Sequence, residues 1–210
     1  MAQITNQILL EFRILFREMK VVILGSNGYV GKHLVSSIGL LNHVVFGVDR
    51  LQINFDRKNS GLKLKELLDE VSPRVVINAV GSIDFKASFD PYKLYNSIFL
   101  PTYLLYDYFS NKNDHSPVSI FTIGSTAAGQ VREKYPIYAS LKGAEETIAR
   151  IAKEKFARGN IEWEHVNLSK LKGGLADFSN LTSDSQILED TELTELSDKI
   201  LFRMNQLIIE

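Results

Sequence analysis

The chain has 210 residues, 45% of them hydrophobic and 23% charged, with a formal net charge of −1. That composition supports a globular domain with a real core, and the balanced charge gives no basic face for nucleic acid or an anionic membrane. With no cysteine there is neither a disulfide framework nor a thiolate metal site, and His33, His43, His115 and His165 show no metal-ligand spacing.

Residues 1–18 read as an appendage to a domain spanning residues 19–210. Their apolar runs, such as Ile8 to Leu10, are too short for a signal-peptide core or a membrane span. Ile8, Phe12, Leu15 and Met19 fall at helical spacing, so the segment is either an amphipathic helix or a tail before a fold that starts at Met19.

From there, short Val- and Ile-rich runs alternate with helical patterns. Residues 20–25, 43–49, 74–80 and 118–124 are predicted as buried strands, with 161–168 as a weaker fifth. Helices are predicted at 29–40, 62–71, 91–111 and 136–157. Such alternation implies parallel strands and right-handed crossovers: a doubly wound, three-layer α/β/α sheet of the Rossmann-like kind. The stretch Asp177 to Asp198 holds seven acids and no base, and is expected to be a solvated loop or a flap over substrate. Leu193, Leu196, Ile200, Met204 and Leu207 then mark a last amphipathic helix.

The first strand runs into LGSNGYVGKH, with glycines at 25, 28 and 31. Strand, glycine turn and helix in that order form a phosphate-binding arrangement. Gly25 permits the tight turn, Gly28 admits a pyrophosphate close to the backbone, and Gly31 lets helix and strand pack. The helix N-terminus, with Asn27, Tyr29 and Val30 around it, offers N–H groups to the phosphates. Asp49 ends the second strand 18 positions past Gly31, where a carboxylate binds a ribose diol and repels a 2′-phosphate. Arg50 beside it is suited to the opposite task. NAD is therefore expected in preference to NADP.

Three later features concern chemistry. In YASLK, Tyr138 and Lys142 stand at i and i+4 on one helix face. Ser125 lies just past the end of a strand, where open α/β sheets bind ligands, and Asn96 interrupts a long apolar helix. A tyrosine hydroxyl is a poor base at neutral pH, but a nearby ammonium favours the phenolate. Such a pair exchanges a proton with an alcohol or carbonyl oxygen while hydride moves at a nicotinamide. A serine hydroxyl orients the same oxygen. Each residue also has an ordinary explanation: a solvated amphipathic pair, a turn cap, a satisfied buried amide.

The glycine turn, NAVG at 78–81, Asn96, Ser125 and YASLK together resemble the short-chain dehydrogenase/reductases over about residues 20–168. The resemblance implies that Tyr138 is the acid/base, Lys142 its ribose-binding partner and Ser125 the substrate-orienting hydroxyl. It implies that Asn96 holds a proton-relay water, and that Asn78, Ala79, Val80 and Gly81 pass beside the cofactor's adenine side. It also implies a homodimer through the helices at 91–111 and 136–157, while the absence of cysteine suits a cytoplasmic location. The segments VDRLQINFD and NSIFLPTYLL are similar to the branch that acts on nucleotide sugars, which suggests such a substrate in polysaccharide biosynthesis. After 161–168, NLSKLKGGLAD stands where the family usually shows Pro-Gly. That keeps open a non-catalytic dinucleotide-binding regulator or scaffold, and an epimerase or dehydratase that retains its NAD is a third reading.

Overall fold

The computed structural model describes residues 18–41, 43–81, 90–112, 116–130, 133, 135–169 and 189–209. Residues 1–17, the acidic segment before Glu189 and the Gly173–Gly174 pair lie outside them.

Five parallel strands form one sheet in the order β2-β1-β3-β4-β5. They are β1 (Lys20–Leu24), β2 (Val44–Val48), β3 (Val75–Asn78), β4 (Val118–Ser125) and β5 (Ile161–Leu168). All five sequence-predicted strands are present and parallel, and the sheet is Rossmann-like. The helices are α1 (Tyr29–Gly39), α2 (Ser60–Val71), α3 (Pro91–Leu94), α4 (Leu100–Asn111), α5 (Pro136–Phe156) and α6 (Glu189–Ile209).

Strand side chains alternate between two apolar layers because successive Cβ atoms leave opposite faces of a strand. Val22, Leu24, Val76 and Ile120 pack with Leu68 of α2, Leu105 of α4 and Ala152 of α5. Val21, Ile23, Val75 and Phe121 pack on the other face with Leu34 of α1 and Leu193, Ile200 and Met204 of α6. Helices on both faces and wholly buried central strands account for the near-continuous apolar runs in the sequence.

Two elements differ from the sequence reading. The expected helix at 91–111 is broken by a π-helical turn at Tyr95–Phe99. Pro101 supplies the reason: it has no N–H, and its ring would strike the carbonyl four residues back in a regular helix. The widened turn just before it removes that conflict. The last helix also begins earlier than the acidic composition suggested, at Glu189. Acids suit a first turn because they complement the positive helix N-terminus. Glu192 has a further role, since one carboxylate oxygen accepts from the Ser169 backbone N–H at 3.0 Å.

α6 is tied down at several points. His33 Nε2 of α1 lies 3.1 Å from Ser197 Oγ, and Arg74 donates to the Leu207 carbonyl at 3.1 Å. Lys199 and Arg203 form ion pairs with Glu164 and Glu162 of the edge strand β5. Among the described residues no helix is long and apolar enough to cross a membrane.

Ile200 is fully buried where α6 meets the sheet. Ile200→Ala is expected to cost about 2–5 kcal/mol of folding stability, read as a lowered urea midpoint. A change under about 0.5 kcal/mol would mean that α6 does not close this face of the core.

Candidate functional site

The strand order reverses between β1 and β3: the chain passes from β1 outward to β2, then returns to the other side of β1. Such a switch point opens a crevice at the carboxyl ends of the strands. Here it holds a cavity of about 290 Å³. Gly25, Asn27 and Gly28, Asp49 and Arg50, Ala79 to Gly81, and Asn96 line it.

The glycine turn is held by backbone contacts. The Val48 carbonyl accepts from Gly25 N at 2.8 Å and from Ser26 N at 3.1 Å, and Gly28 N donates to the Gly25 carbonyl at 2.9 Å. Gly25 has φ +80°, and a Cβ there would stand 2.7 Å from the Ala79 carbonyl oxygen. A Cβ on Gly31 would stand 2.1 Å from the Gly25 carbonyl oxygen. Gly31 thus allows the first turn of α1 to sit on the glycine turn itself, a closer neighbour than the strand named from the sequence. Gly28 is the N-cap of α1 and brings no side chain to cap the first turn. Tyr29 and Val30 open the helix; Val30 packs into the α1–α6 core.

Around the cavity mouth the charged groups are already organised. Asp49 accepts from the Leu51 backbone N–H at 2.7 Å through one oxygen and from the Asn27 amide through the other. Arg50, largely exposed, pairs with Asp56 at 2.6 Å. The other Asp56 oxygen accepts from Asn96 Nδ2 at 3.3 Å. Asn96 therefore stands on the cavity's Arg50–Asp56 side, on the widened turn.

Ser125, Tyr138 and Lys142 lie outside the lining of that cavity. Ser125 ends β4, and its Oγ accepts from Ala127 N at 3.2 Å, capping the 3₁₀ turn Thr126–Gly129. Tyr138 is buried among Leu94, Ile98 and Ala127, with the Tyr135 ring edge-on at 6.1 Å. Lys142 is 3% exposed. Its Nζ donates to the Ile123 carbonyl at 3.0 Å and to Glu145 Oε2 at 2.7 Å, and lies 3.9 Å from where a Gly81 Cβ would be. Among the described residues no hydrogen bond joins Ser125, Tyr138 and Lys142 to one another. Asn78 is fully buried and is not part of the cavity lining, donating to Thr102 Oγ1 at 2.9 Å and accepting from Val80 N at 3.1 Å.

Sequence reading missed Glu145, Thr102 and His165. Glu145 is fully buried, which is rare for a carboxylate, and its only mark in the sequence is its place three residues after Lys142. His165 sits on β5, with Nδ1 2.8 Å from Thr122 Oγ1. Its ring and the Asn167 side chain occupy the space over Gly124, where any Cβ would fall 2.2 Å from both. Among the described residues no three potential ligands gather as a metal site.

The sequence from 21 to 148 matches the family model described as NAD dependent epimerase/dehydratase family. The chain belongs to that family. Its members use a nicotinamide dinucleotide, and the cradle at Gly25, Gly28 and Gly31, with no room for Cβ atoms at Gly25 and Gly31, fits one. Solved structures share the fold at low identity. A short chain dehydrogenase family protein from Francisella tularensis subsp. tularensis SCHU S4 aligns with TM-score 0.70 at 15% identity, covering 89% of this chain and 90% of that one. The 3-alpha-hydroxysteroid dehydrogenase of Pseudomonas sp. B-0831, complexed with NADH, gives 0.63 at 16%, covering 73% of each chain. The dTDP-4-dehydrorhamnose reductase of Bacillus anthracis str. Ames, in complex with NADP, gives 0.58 at 13%, covering 77% of this chain and 58% of that one. No curated protein matches the sequence.

Burial holds the His165 pKa below its ordinary value, with the Glu145 charge opposing; His43 is lowered by burial in the same way. The unfolded chain then binds protons that the folded chain excludes, so stability is full above about pH 6.5 and declines as pH falls below it. The thermal midpoint of this epimerase-family protein is expected to drop between about pH 7 and pH 5. His165→Gln should shallow that slope without abolishing it, since His43 remains; an unchanged slope would refute the assignment to His165.

Proposed function

We propose that this member of the NAD-dependent epimerase/dehydratase family is a reductase or dehydrogenase of the short-chain type. It acts on an alcohol or carbonyl carbon, with NAD as preferred cofactor and NADP as the alternative. The observation that carries the reading is the convergence at one switch point: the glycine turn, Asp49 and the Ala79–Gly81 segment line one cavity, and Lys142 lies against Gly81 at its edge.

Bound there, the dinucleotide supplies hydride donor and acceptor chemistry. The first turn of α1 binds its phosphates through backbone N–H groups. Asp49, pre-oriented by Asn27 and Leu51, accepts from the adenine ribose hydroxyls. A 2′-phosphate would meet that carboxylate, while the Arg50 guanidinium that could answer it is held by Asp56. Lys142 donates to the second ribose. The Tyr138 hydroxyl gives a proton to, or takes one from, the substrate oxygen, and Ser125 donates its O–H to that oxygen while its Oγ goes on accepting from Ala127 N. Burial of Tyr138 among apolar side chains keeps bulk water from competing for that proton.

For the substrate we favour a nucleotide-linked sugar or a related polar metabolite. The family match and the shared fold with a dTDP-4-dehydrorhamnose reductase support it. The family match equally supports an epimerase or dehydratase that keeps its NAD, which would purify with cofactor bound. A homodimer through α4 and α5 fits the exposed side chains Tyr103 and Ile151 on these helices.

Calorimetric titration is expected to show NADH binding at least tenfold more tightly than NADPH, with Asp49→Ala erasing the preference. The reverse order would assign the adenine ribose to Arg50 instead. In a nucleotide-sugar turnover assay, Tyr138→Phe is expected to lower kcat by at least a hundredfold while leaving NADH affinity within about twofold. Retained turnover would remove Tyr138 from the chemistry.

A further inference from the structure

Lys142 and Glu145 are both removed from water, at 3% and 0% exposure, and their side chains meet at 2.7 Å. Charges so placed persist only when each is paired and hydrogen-bonded, because desolvation otherwise costs several kcal/mol per ion. The pair meets that condition through a chain of contacts. Asn78 Nδ2 donates to Thr102 Oγ1 at 2.9 Å, and Thr102 Oγ1 donates to Glu145 Oε1 at 2.9 Å. Lys142 Nζ donates to Glu145 Oε2, and also to the Ile123 carbonyl at 3.0 Å. The series runs from the end of β3, through α4, to α5 and the end of β4, so four elements share one buried polar network.

Donor accounting gives this network a consequence for the ligand. An ammonium has three N–H donors and no acceptor. Two of the three on Lys142 are taken by Ile123 and Glu145. Both partners are buried parts of the frame, so the position of Nζ is set before any ligand arrives. One N–H remains, on an atom that lies beside Gly81 at the edge of the dinucleotide cavity. The Glu145 carboxylate also balances the lysine's charge, which leaves Lys142 acting on a ligand chiefly as an oriented donor and only weakly as a net positive charge.

We propose that Glu145, held by Thr102, is the positioning residue of the site: it fixes Lys142 so that a single N–H is presented to a cofactor ribose hydroxyl. This rests on the reading that Lys142 faces the cofactor. Glu145 touches neither cofactor nor substrate, so its effect on binding passes through Lys142 alone.

The test is NADH affinity by calorimetry, with thermal unfolding alongside, for Lys142→Met, Glu145→Gln and the double variant Lys142→Met/Glu145→Leu. Lys142→Met is expected to weaken NADH about tenfold or more, and Glu145→Gln to weaken it by a similar factor, because the lysine loses its charged partner. The double variant replaces the ion pair by apolar groups of similar size. Its thermal midpoint is expected to recover relative to Glu145→Gln, while its NADH affinity stays equal to that of Lys142→Met. A purely structural Glu145 would instead lower the thermal midpoint of Glu145→Gln while leaving the NADH affinity of its folded fraction at the wild-type value. Wild-type affinity in a folded Glu145→Gln protein would overturn the proposal, and so would an additive further loss in the double variant. Unchanged affinity in Lys142→Met would show that the lysine does not meet the cofactor. Failure of the wild-type protein to bind NADH or NADPH would instead bring down the cofactor reading itself.

Discussion

Everything on the ligand side of this molecule depends on one crowded point, the approach of the Gly25 turn to the end of β3. The chain leaves β1 with φ +80° at Gly25, where a Cβ would lie 2.7 Å from the Ala79 carbonyl. The same turn receives the first turn of α1 so closely that Gly31 too has no room for a side chain. These two contacts bring the start of α1, the end of β2 and the end of β3 to one crevice. Without them the cavity would lose its floor, and Asp49 and Gly81 would no longer face a common space.

The second constraint is electrostatic and lies deeper. A lysine and a glutamate buried together are tolerated because every oxygen and most donors of the pair have partners. The network joins β3 and β4 to α4 and α5, so the geometry around Lys142 is coupled to the packing of the sheet. Rigidity at that point suits a site whose donors must stand in place before a ligand binds. At the cavity mouth the charged contact is instead partly exposed, between Arg50 and Asp56.

Much of the fold was legible because parallel strands buried on both faces are written as continuous Val and Ile runs. KVVIL at β1 and VVIN at β3 leave little else that such segments can be. The glycine turn was legible for a similar reason: steric exclusion of Cβ leaves glycine as the residue that fits. The break in the helix at 91–111 was harder to see, since the apolar spacing runs through it and only Pro101 signals the change. The start of α6 was masked by its acids, which read as solvent-exposed loop.

Local sequence determined what local physics can enforce: strand identity, the turn at Gly25 and Gly31, the spacing that puts Tyr138 and Lys142 on one face of α5. Tertiary structure decided the rest. It drew Asn96 to Asp56 on the dinucleotide cavity, and it buried Asn78 in contact with Thr102. It also set Glu145 against Lys142 in the interior, where a reading by composition would leave a Glu-Glu pair on the surface. The physical reason is that a polar side chain's partner depends on which elements meet in space. Asn78, Thr102 and Glu145 are separated by tens of residues along the chain, and only the packed sheet brings them within hydrogen-bond reach.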